Sequence, residues 1–376
     1  MMRLLHVYSG NLYGGIESIL LTLTRQRAAC PELESEMALC FDGRLRSELE
    51  AEGTPVHRLG EVRVSRPQSV HRARRALAAL LATGRFDRVI CHGAWPYALF
   101  ARTVRRADVP LVFWVHDALS GRHWTERWAK RTPPDLAISN SHFTAAGVKA
   151  MYPTTPLEVV YAPVDTAPAR LSAMDRCVVR AELVTPQDAV VIVQASRMDA
   201  WKGHAVLLEA LSALRDQPDW VCWEVGGPQR PRDTAYVDSL RDLASRLRLG
   251  DRMRFVGERA DVPRLLAAAD IFCQPNISPE PFGIAFIEAL AAGLPVVTSA
   301  IGGAMEIVDD ACGQLVPASD PVALSAALRG LVGDPEERAR LGVVARVRAH
   351  QLCDPTEQMR RMHSTLVNMA GVPARA

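Results

Sequence analysis

Short apolar runs alternate with longer amphipathic segments along most of this chain of 376 residues, and this alternation constrains the fold more than any other feature. In the first half, runs typical of strands include MRLLHVYS, RVICH and LVFWVH, and residues 16–29 have the spacing of an amphipathic helix. Period-two or continuous apolar runs indicate strands, whereas apolar residues recurring every three to four positions indicate helices. Strands separated by helices are joined in parallel by right-handed crossovers. The sequence therefore predicts an α/β fold with parallel sheets.

The alternation stops in YAPVDTAPARLSAMD and then starts again. Beyond this segment the predicted strands are AVVIVQAS, WVCWEVGG, RMRFVG, DIFCQP and LPVVTSA, and the predicted helices are 204–215, 236–247, 262–269 and 283–292. A chain of this length exceeds the size at which one hydrophobic core usually stops growing. We therefore predict two doubly wound, Rossmann-like domains facing a cleft, at residues 1–165 and 166–353. A C-terminal helix at about 354–376 is expected to pack back on the first domain.

The composition excludes several classes of protein. With 48% hydrophobic and 23% charged residues, the chain has an ordinary globular composition. Its longest apolar runs are shorter than the roughly 20 residues that a membrane-spanning helix needs. The N-terminus, MMRLLHVYSG, lacks the apolar centre of a signal peptide, which favours a cytoplasmic location. The eight cysteines show no CxxC pairing, so we expect reduced, mostly buried thiols rather than disulfides or zinc ligands.

The net charge of +2 is unevenly distributed. Residues 1–165 hold 21 Lys and Arg against 16 Asp and Glu, whereas the remainder holds 23 against 26. Part of the basic excess lies in one segment that contains Arg63, Arg66, Arg72, Arg74 and Arg75. This segment is consistent with peripheral association with the inner membrane through anionic headgroups, or with a solvated helix face. Nucleic acid is a poor fit, because no basic stripe studded with aromatic residues occurs.

A glycine-rich turn follows the first predicted strand, in SGNLYGGIES. In a doubly wound sheet, ligands bind beyond the carboxyl ends of the strands, where glycines let them approach backbone amides. Gly14 and Gly15 are therefore candidates for ligand contact, and a plain tight turn is the alternative. The dinucleotide fingerprint GxGxxG is absent, which disfavours an NAD oxidoreductase.

The first strand of the second domain leads into ASRMDAWKGH, which places Arg197 at the strand end and Lys202 just before a helix. Both cations then lie at one edge of the sheet, near a helix N-terminus that itself favours anions. Two positive groups within reach of one anion would stabilise a phosphate leaving group, so a diphosphate is the ligand that this pattern favours. The alternative is an exposed Arg and Lys in a loop.

The segment SPEPFGIAFIEALAAGLPVV carries two carboxylates, Glu280 and Glu288, in an otherwise apolar stretch. Because no polar face surrounds Glu288, we expect it to be enclosed and to bind either protein donors or ligand hydroxyls. Glu280 is expected at the rim of the cleft. Pro281 is typical of the first position of a helix. Such a helix would direct into the cleft the free amides of Phe282, Gly283 and Ile284.

Two histidines end neighbouring strands of the first domain. His116 follows LVFWV and His92 ends RVICH, at the height where a ligand should lie. Local hydrogen bonding at a strand end is the alternative for both. Tryptophans that could stack on a ligand, or belong to the core, are Trp95, Trp124 and Trp128.

Taken together, the GG after the first strand, RxxxxKG, EPFGIAFIE and GGAMEIV resemble the retaining glycosyltransferases of family four, which have the GT-B fold. The resemblance covers about residues 13–355 and is strongest in the C-terminal half. It implies that Arg197 and Lys202 hold the donor diphosphate. It also implies that Glu280 contacts the transferred sugar and that Glu288 binds the ribose hydroxyls. Donor contacts are likewise implied for Gly14, Gly15, Phe282, Gly283 and Ile284.

The resemblance assigns catalytic roles to Arg197, Lys202, Glu280 and His116, of which His116 would contact the donor sugar and support its developing positive charge. In GGAMEIV, Glu306 is expected to be structural. The implied reaction moves a sugar, with retention, from a nucleotide diphosphate sugar to a hydroxyl acceptor, in cell-surface polysaccharide or glycoconjugate biosynthesis.

The partners implied are the nucleotide sugar donor and a saccharide or lipid-linked acceptor. No cofactor or metal is expected, because the sequence lacks a DxD motif and the two cations can neutralise the diphosphate. Two alternatives are a nucleotide-sugar 2-epimerase or hydrolase of similar fold and a non-catalytic nucleotide-sugar binder.

Overall fold

The computed structural model describes residues 1–10, 14–167, 171–217 and 219–369. The chain divides into two compact units. The N-terminal unit comprises Met1–Val164 and the segment from Cys353 onwards, and the C-terminal unit comprises Asp165–Leu352. Part of the glycine-rich turn, residues 11–13, and part of the segment between the predicted domains, residues 168–170, lie outside the described residues.

The N-terminal unit is built on a parallel sheet of seven strands in its described part. The strands are β1 Met2–Tyr8, β2 Leu33–Leu39, β3 Val56–Arg58, β4 Arg88–His92, β5 Leu111–Val115, β6 Leu136–Ser139 and β7 Leu157–Val159. Their order across the sheet is β3-β2-β1-β4-β5-β6-β7. All residues of β4 and β5 are buried, which explains why these strands are nearly continuous apolar runs.

Helices accompany these strands and are numbered along the whole chain. In the N-terminal unit they are α1 Gly15–Arg25, α2 Arg44–Ala51, α3 Pro67–Thr83, α4 Ala94–Arg106, α5 Trp124–Ala129, α6 His142–Met151 and α15 Pro355–Val367. The last of these packs against α1. Its start is fixed by Pro355 at the first helical position and by the Asp354 carboxylate, which accepts a hydrogen bond from the amide of Glu357.

The C-terminal unit is built on a second parallel sheet, of six strands in its described part. The strands are β8 Val190–Ala195, β9 Trp220–Val225, β10 Met253–Gly257, β11 Ile271–Gln274, β12 Val296–Ser299 and β13 Gly313–Val316, in the order β10-β9-β8-β11-β12-β13. The helices are α7 Ala173–Glu182, α8 His204–Ser212, α9 Pro231–Arg246, α10 Val262–Ala268, α11 Ile284–Ala292, α12 Ala304–Ile307, α13 Pro321–Gly333 and α14 Pro335–Cys353.

Each sheet reverses its strand order at one point, between β1 and β4 in the first and between β8 and β11 in the second. In open parallel sheets, ligands bind beyond the carboxyl ends of the strands at such a switch point. The residues that follow these four strands are therefore the first place to look for a functional site.

The structure differs from the sequence predictions at short elements. The three-residue β3, the four-residue β13 and the helix α13 were not predicted. The predicted helix 283–292 begins one residue later, at Ile284, and the expectation that Pro281 occupies its first position is wrong. The reason is that Glu280 forms an extended bridge with Gly302, and its carbonyl accepts a hydrogen bond of 2.7 Å from the amide of Gly303.

Two expectations about the whole chain can be compared with the structure. In the described ranges, no helix combines the length and the apolar character needed to cross a bilayer. All eight cysteines are free, and all but Cys177 are buried, which agrees with the prediction of mostly buried thiols.

Candidate functional site

The loop after β8 carries both predicted phosphate-binding cations and is held against the loop after β11. A short 3-10 helix, Ala200–Lys202, precedes Gly203, which caps α8 with a left-handed φ of 79°. A Cβ at Gly203 would lie 1.8 Å from the carbonyl oxygen of Pro275, so only glycine fits there. The amide of Ile277 also donates a hydrogen bond of 2.9 Å to the carbonyl of Trp201. The two loops are therefore locked together at the switch point.

This packing brings Lys202 and Glu280 into direct contact. Their Nζ and Oε2 atoms lie 2.6 Å apart, and only 8% of Glu280 is exposed, so it does not lie at a rim as the sequence suggested. The same Oε2 accepts hydrogen bonds from Asn276 at 3.0 Å and from Gln274 at 3.3 Å. Within the described ranges, no protein donor reaches Oε1 of Glu280. One carboxylate oxygen is thus saturated by protein and the other is available to a ligand.

The ammonium of Lys202 lies 4.0 Å from the centroid of the Trp201 ring, where it makes a cation–π contact. Burial lowers the pKa of Lys202, and the neighbouring Glu280 carboxylate opposes this shift. An ammonium group has three N–H donors. After one donates to Glu280, others remain for an anion.

Arg197 lies on the same loop but is more accessible. Its side chain is 38% exposed and forms an ion pair of 2.9 Å with Asp199. Together with Gly227 and Arg230 it lines a shallow surface pocket of the C-terminal unit. The guanidinium has five N–H donors, so its pairing with one carboxylate leaves donors free for a phosphate.

A buried ion pair supports this loop from below. His204 Nδ1 lies 2.9 Å from Glu224 Oε2, and both side chains are almost completely buried. His204 Nε2 lies 3.2 Å from the carbonyl oxygen of Arg197. Burial disfavours the imidazolium, but the Glu224 carboxylate outweighs it and raises the pKa of His204. A protonated ring donates at both nitrogens, so it ties Arg197 to the sheet.

The N-terminus of α11 carries the other predicted donor contacts. Gly283 has a φ of 115°, and a Cβ there would lie 2.3 Å from the ring of Phe286. Phe282 is buried. Ile284 is the first residue of the helix. The amides of Phe286 and Ile287 donate to the carbonyl of Gly283, and the first amides of a helix lack a partner within the helix, so this end is suited to an anion.

Glu288 lies one turn further along α11 and is half-buried. No hydrogen bond or ion pair joins its carboxylate to any residue in the described part of the chain. Burial raises the pKa of Glu288 to about 7. A buried carboxylate without a donor is costly, so Glu288 is a candidate to accept hydrogen bonds from a ligand.

In the N-terminal unit, the two predicted histidines form part of a longer row. His92 Nδ1 lies 3.0 Å from His116 Nε2, and His6 Nδ1 lies 2.8 Å from His92 Nε2. Only 5% of His116 is exposed, and its carbonyl accepts a hydrogen bond of 3.3 Å from Asn140. All three imidazoles lie near the switch point between β1 and β4.

The remaining predicted contacts of the N-terminal unit are more open. Gly14 caps α1 and Gly15 is exposed. Trp124 and Trp128 meet edge to face with ring centroids 5.5 Å apart, and Trp128 is 39% exposed. Trp95 packs against the hydrophobic core. Trp128 is therefore the tryptophan of this group that can stack on a ligand from solvent.

Several residues of these sites were missed from the sequence. Gln274 ends the apolar strand in DIFCQPN and Asn276 follows it, and their polar character at the end of a buried strand was the available signal. His6 interrupts the apolar run MRLLHVY, and His92 ends the apolar run of its own strand. A single polar residue in each of several adjacent buried strands indicates that those residues meet.

Comparison with known proteins identifies the family. Residues 175–348 match the model described as "Glycosyl transferases group 1", and residues 13–168 match the model described as "Glycosyltransferase Family 4". Together the two models span most of the chain. The protein therefore belongs to the group 1 and family 4 glycosyltransferases, as predicted.

Curated relatives include two proteins named D-inositol 3-phosphate glycosyltransferase. The one from Streptomyces avermitilis is 36% identical over 179 residues, 45% of this chain and 38% of its own length. The one from Nocardioides sp. is 35% identical over 227 residues, 56% of this chain and 49% of its own length. The match therefore spans less than half of each of these relatives.

Solved structures match over nearly the whole chain. Anabaena HepE in complex with UDP and glucose superimposes with a TM-score of 0.86 at 27% identity, covering 98% of this chain and 100% of that one. WaaG, described as a glycosyltransferase involved in lipopolysaccharide biosynthesis, gives 0.74 at 18% identity, covers 98% and 100%, and shows the fold alone. The two doubly wound sheets of the predicted GT-B fold are confirmed.

Proposed function

We propose that the protein transfers a sugar from a nucleoside diphosphate sugar to an acceptor hydroxyl, and that the C-terminal unit binds the donor. The observation that carries this proposal is the contact between Lys202 and Glu280 at the β8–β11 switch point. It places a cation suited to phosphate beside a carboxylate suited to sugar hydroxyls. The solved Anabaena relative, whose complexes contain UDP, glucose and UDP-glucose, supports the same class of donor.

The diphosphate is the proposed ligand of Lys202, Arg197 and the first amides of α11. As the bond between sugar and phosphate breaks, negative charge grows on the leaving phosphate, and preorganised donors stabilise that charge. Two cations and a helix N-terminus can supply this stabilisation without a divalent metal. We therefore propose metal-independent catalysis with no cofactor besides the donor.

The two glutamates have separate proposed roles. Oε2 of Glu280 is held by Lys202, so Oε1 is left to accept a hydrogen bond from the transferred sugar. Glu288, which has no protein partner in the described ranges, is proposed to accept from the ribose hydroxyls. Its binding would replace the donors that the unliganded carboxylate lacks.

Retention of anomeric configuration is proposed to follow from attack on the face that the leaving phosphate vacates. The departing phosphate oxygen takes the acceptor's proton while its bond to the sugar breaks and the new glycosidic bond forms. Catalysis then consists mainly of positioning and charge neutralisation. His116 is the proposed contact to the donor sugar from the N-terminal unit.

The acceptor is proposed to be a saccharide or a lipid-linked saccharide bound by the N-terminal unit, in cell-surface polysaccharide or glycoconjugate synthesis. Exposed Trp128 offers an apolar ring face for a sugar. Helix α3 presents Arg72 and Arg75 to solvent. Burial, together with Arg102 and Arg106, lowers the pKa of its neighbour Arg74. This uncompensated positive charge supports peripheral association of a cytoplasmic protein with an anionic membrane.

A panel of nucleotide sugars in a thermal-shift assay tests the donor site, beginning with UDP-glucose. Ligand at about 100 times Kd should add roughly 2.7 kcal/mol of stability. The variant Lys202→Ala should lose this shift, whereas Lys149→Ala, which changes an exposed lysine of the N-terminal unit, should keep it. A donor shift that survives in Lys202→Ala would overturn the assignment of the diphosphate.

Product analysis separates transfer from the other reactions of similar folds. Incubation of the shifting donor with candidate acceptors, including D-inositol 3-phosphate and a lipid-linked saccharide, should give a glycosylated product with the donor's anomeric configuration. EDTA should leave the rate unchanged. Release of an epimer or of free sugar at the full rate without acceptor would contradict the proposed transferase.

A further inference from the structure

Three histidines, two in adjacent strands of the N-terminal unit and one directly after the next strand, form one continuous hydrogen-bonded row. The row starts at Ser35 on β2, whose Oγ lies 3.2 Å from His6 Nε2 on β1. It continues from His6 Nδ1 to His92 Nε2 on β4 at 2.8 Å, and from His92 Nδ1 to His116 Nε2 at 3.0 Å. At the far end, the Nδ1 atom of His116 is buried and has no hydrogen-bond partner among the residues that the structure describes.

The rings are held rigidly in this arrangement. The centroids of His6 and His92 are 5.1 Å apart and their planes differ by 24°, and those of His92 and His116 are 5.2 Å apart and differ by 15°. The indole of Trp114 stacks on His116 with centroids 5.5 Å apart. The imidazoles thus lie in a row. In this arrangement, the direction of one hydrogen bond can determine the direction of the next.

All three rings are neutral near pH 7. Burial lowers the pKa of His6 to about 4 and that of His116 to about 3. Burial, with the neighbouring His6 and His116, also places the pKa of His92 well below its ordinary value. A neutral imidazole has one N–H donor and one acceptor nitrogen. Each ring that accepts at one nitrogen must therefore donate at the other.

This constraint leaves only two states for the row. In one, every histidine is protonated at Nε2, the row donates towards Ser35, and Nδ1 of His116 has a free lone pair. In the other, every histidine is protonated at Nδ1, the Ser35 hydroxyl donates into the row, and His116 presents an N–H group. Ser35 fits both states because a hydroxyl can donate or accept.

The unpaired Nδ1 of His116 favours the first state. A buried N–H without a partner is rarer in proteins than an acceptor without one. The Nε2-protonated form is also the more stable tautomer of a free neutral histidine side chain. We propose that His6 and His92 are positioning residues that fix the tautomer of His116, so that its Nδ1 accepts a hydrogen bond from a ligand hydroxyl.

The identification of that hydroxyl with one of a donor sugar rests on the proposed function. The coupling of the three tautomers does not, because it follows from the contacts within the N-terminal unit alone. NMR of the variant Ser35→Ala tests the coupling, and the addition of UDP-glucose tests the contact with the donor sugar.

Ser35→Ala is the sharpest test because it lies three hydrogen bonds away from His116 and removes a single hydroxyl. With no acceptor for His6 Nε2–H, each state of the row has one unpaired N–H and one unpaired acceptor nitrogen. Their energies then converge. Nitrogen-15 NMR of protein labelled at histidine should show one tautomer of His116, protonated at Nε2, in the unchanged protein and a mixture in Ser35→Ala. Ser47→Ala, an exposed serine on α2, is the matched control and should leave the signals unchanged.

A second variant, His92→Phe, keeps an aromatic ring in the row but removes both of its nitrogens. It should also give a mixture of His116 tautomers, and it is read by the same NMR signals, assigned with His116→Gln. If the tautomer of His116 is the same in the unchanged protein, Ser35→Ala and His92→Phe, the proposed coupling is wrong.

UDP-glucose serves as the probe for the ligand. It should shift the Nδ1 signal of His116 while that nitrogen stays unprotonated. If Ser35→Ala changes the tautomer but UDP-glucose leaves Nδ1 unmoved even though it binds, the coupling stands and the contact between His116 and the donor is wrong. If Nδ1 of His116 carries the proton in the unchanged protein, the direction that we assign to the hydrogen bonds of the row is wrong.

Discussion

The two sheets reverse their strand order in the same way but place different chemistry at the switch point. In the N-terminal unit, the residues there are the neutral imidazoles His6, His92 and His116, joined by neutral hydrogen bonds. In the C-terminal unit, charged pairs meet instead, Lys202 with Glu280 and His204 with Glu224. Topology therefore selects the location of both sites, and the side chains select what each can bind.

The contrast has an energetic basis. A neutral hydrogen-bonded row can be buried at small cost because every polar atom but one finds a partner. Buried charges cost far more and persist only when they are paired and hydrogen-bonded. The switch point of the C-terminal sheet, with Lys202 and Glu280, is called here the charged edge, and that of the N-terminal sheet, with its three histidines, the neutral edge. The charged edge is thus suited to an anionic ligand such as a diphosphate, whereas the neutral edge is suited to hydroxyl groups. Variants that remove charges from the C-terminal unit test this difference.

Neutralising the central carboxylate of the charged edge should have the largest consequence. In Glu280→Gln, the buried ammonium of Lys202 loses its counter-charge, so we expect stability to fall by about 3 kcal/mol. The rate of sugar transfer should fall by about 10²- to 10³-fold, as when one preorganised electrostatic contact is removed from an active site. Initial rates and thermal unfolding measure both effects.

Glu182→Gln is the matched control for this variant. Glu182 also forms an ion pair, with Arg264 at 2.8 Å, but both side chains are accessible to solvent. Exposed pairs contribute little, so its rate and unfolding temperature should match those of the unchanged protein. A rate in Glu280→Gln that equals that of Glu182→Gln would mean that the charged edge is not the reacting site.

The sequence predicted the charged edge better than the neutral one, for a physical reason. Arg197 and Lys202 lie at a strand end and a helix start, where alternating periodicity fixes their position to within a residue or two. Glu288 was recognisable because a carboxylate interrupts an apolar helix. Each of these signals is local in the sequence, so no knowledge of tertiary contacts was needed.

What escaped prediction depends on contacts between distant segments. The burial of Glu280 accompanies its contact with Lys202 from the loop after β8, which no periodicity encodes. The row of histidines requires three strands in the order β1-β4-β5, with side chains on one face. His92 and His116 were considered separately as strand ends, and His6 was read only as part of a strand. Pairwise register, rather than composition, decides such sites.

Removing the charge of Glu288, which has no protein partner in the described ranges, is expected to have the next largest effect. The folded-state pKa of Glu288, about 7, lies above its ordinary value of 4.5, so the unfolded chain loses this proton first as the pH rises. Its contribution to stability therefore declines between about pH 4.5 and 7. Glu288→Gln should be more stable than the unchanged protein at pH 8 by up to roughly 3.5 kcal/mol, at about 1.4 kcal/mol for each pKa unit between 4.5 and about 7. At pH 4.5 the advantage should vanish.

Thermal unfolding from pH 4.5 to 8 measures this difference, with Glu209→Gln, at an exposed position of α8, as the control. The same Glu288→Gln variant should bind the nucleotide sugar more weakly, because an amide is a poorer acceptor for ribose hydroxyls than a carboxylate. Greater stability with weaker binding would mark a carboxylate kept for a ligand. Lower stability at pH 8 would show instead that Glu288 is satisfied by the protein.

The smallest effect is expected when the buried pair of His204 and Glu224, which supports the loop carrying Arg197, is replaced by neutral groups. In the double variant His204→Gln with Glu224→Gln, both charges are removed together, so stability at neutral pH should change by about 1 kcal/mol or less. The folded-state pKa of His204 is raised, so the native pair stabilises the protein fully below about pH 6.5 and loses this contribution as the pH rises through the folded value. The double variant should therefore compare more favourably at pH 8.5 than at pH 6.

Unfolding at these two pH values, with His71→Gln on the exposed face of α3 as the control, measures this change in slope. The Michaelis constant for the donor should rise a few-fold, since the amide pair no longer holds the carbonyl of Arg197 with a charged donor. Equal pH slopes in the double variant and the unchanged protein would mean that His204 is neutral when folded. The loop that carries Arg197 would then be held by a neutral hydrogen bond. In this respect it would not differ from the neutral histidines of the N-terminal unit.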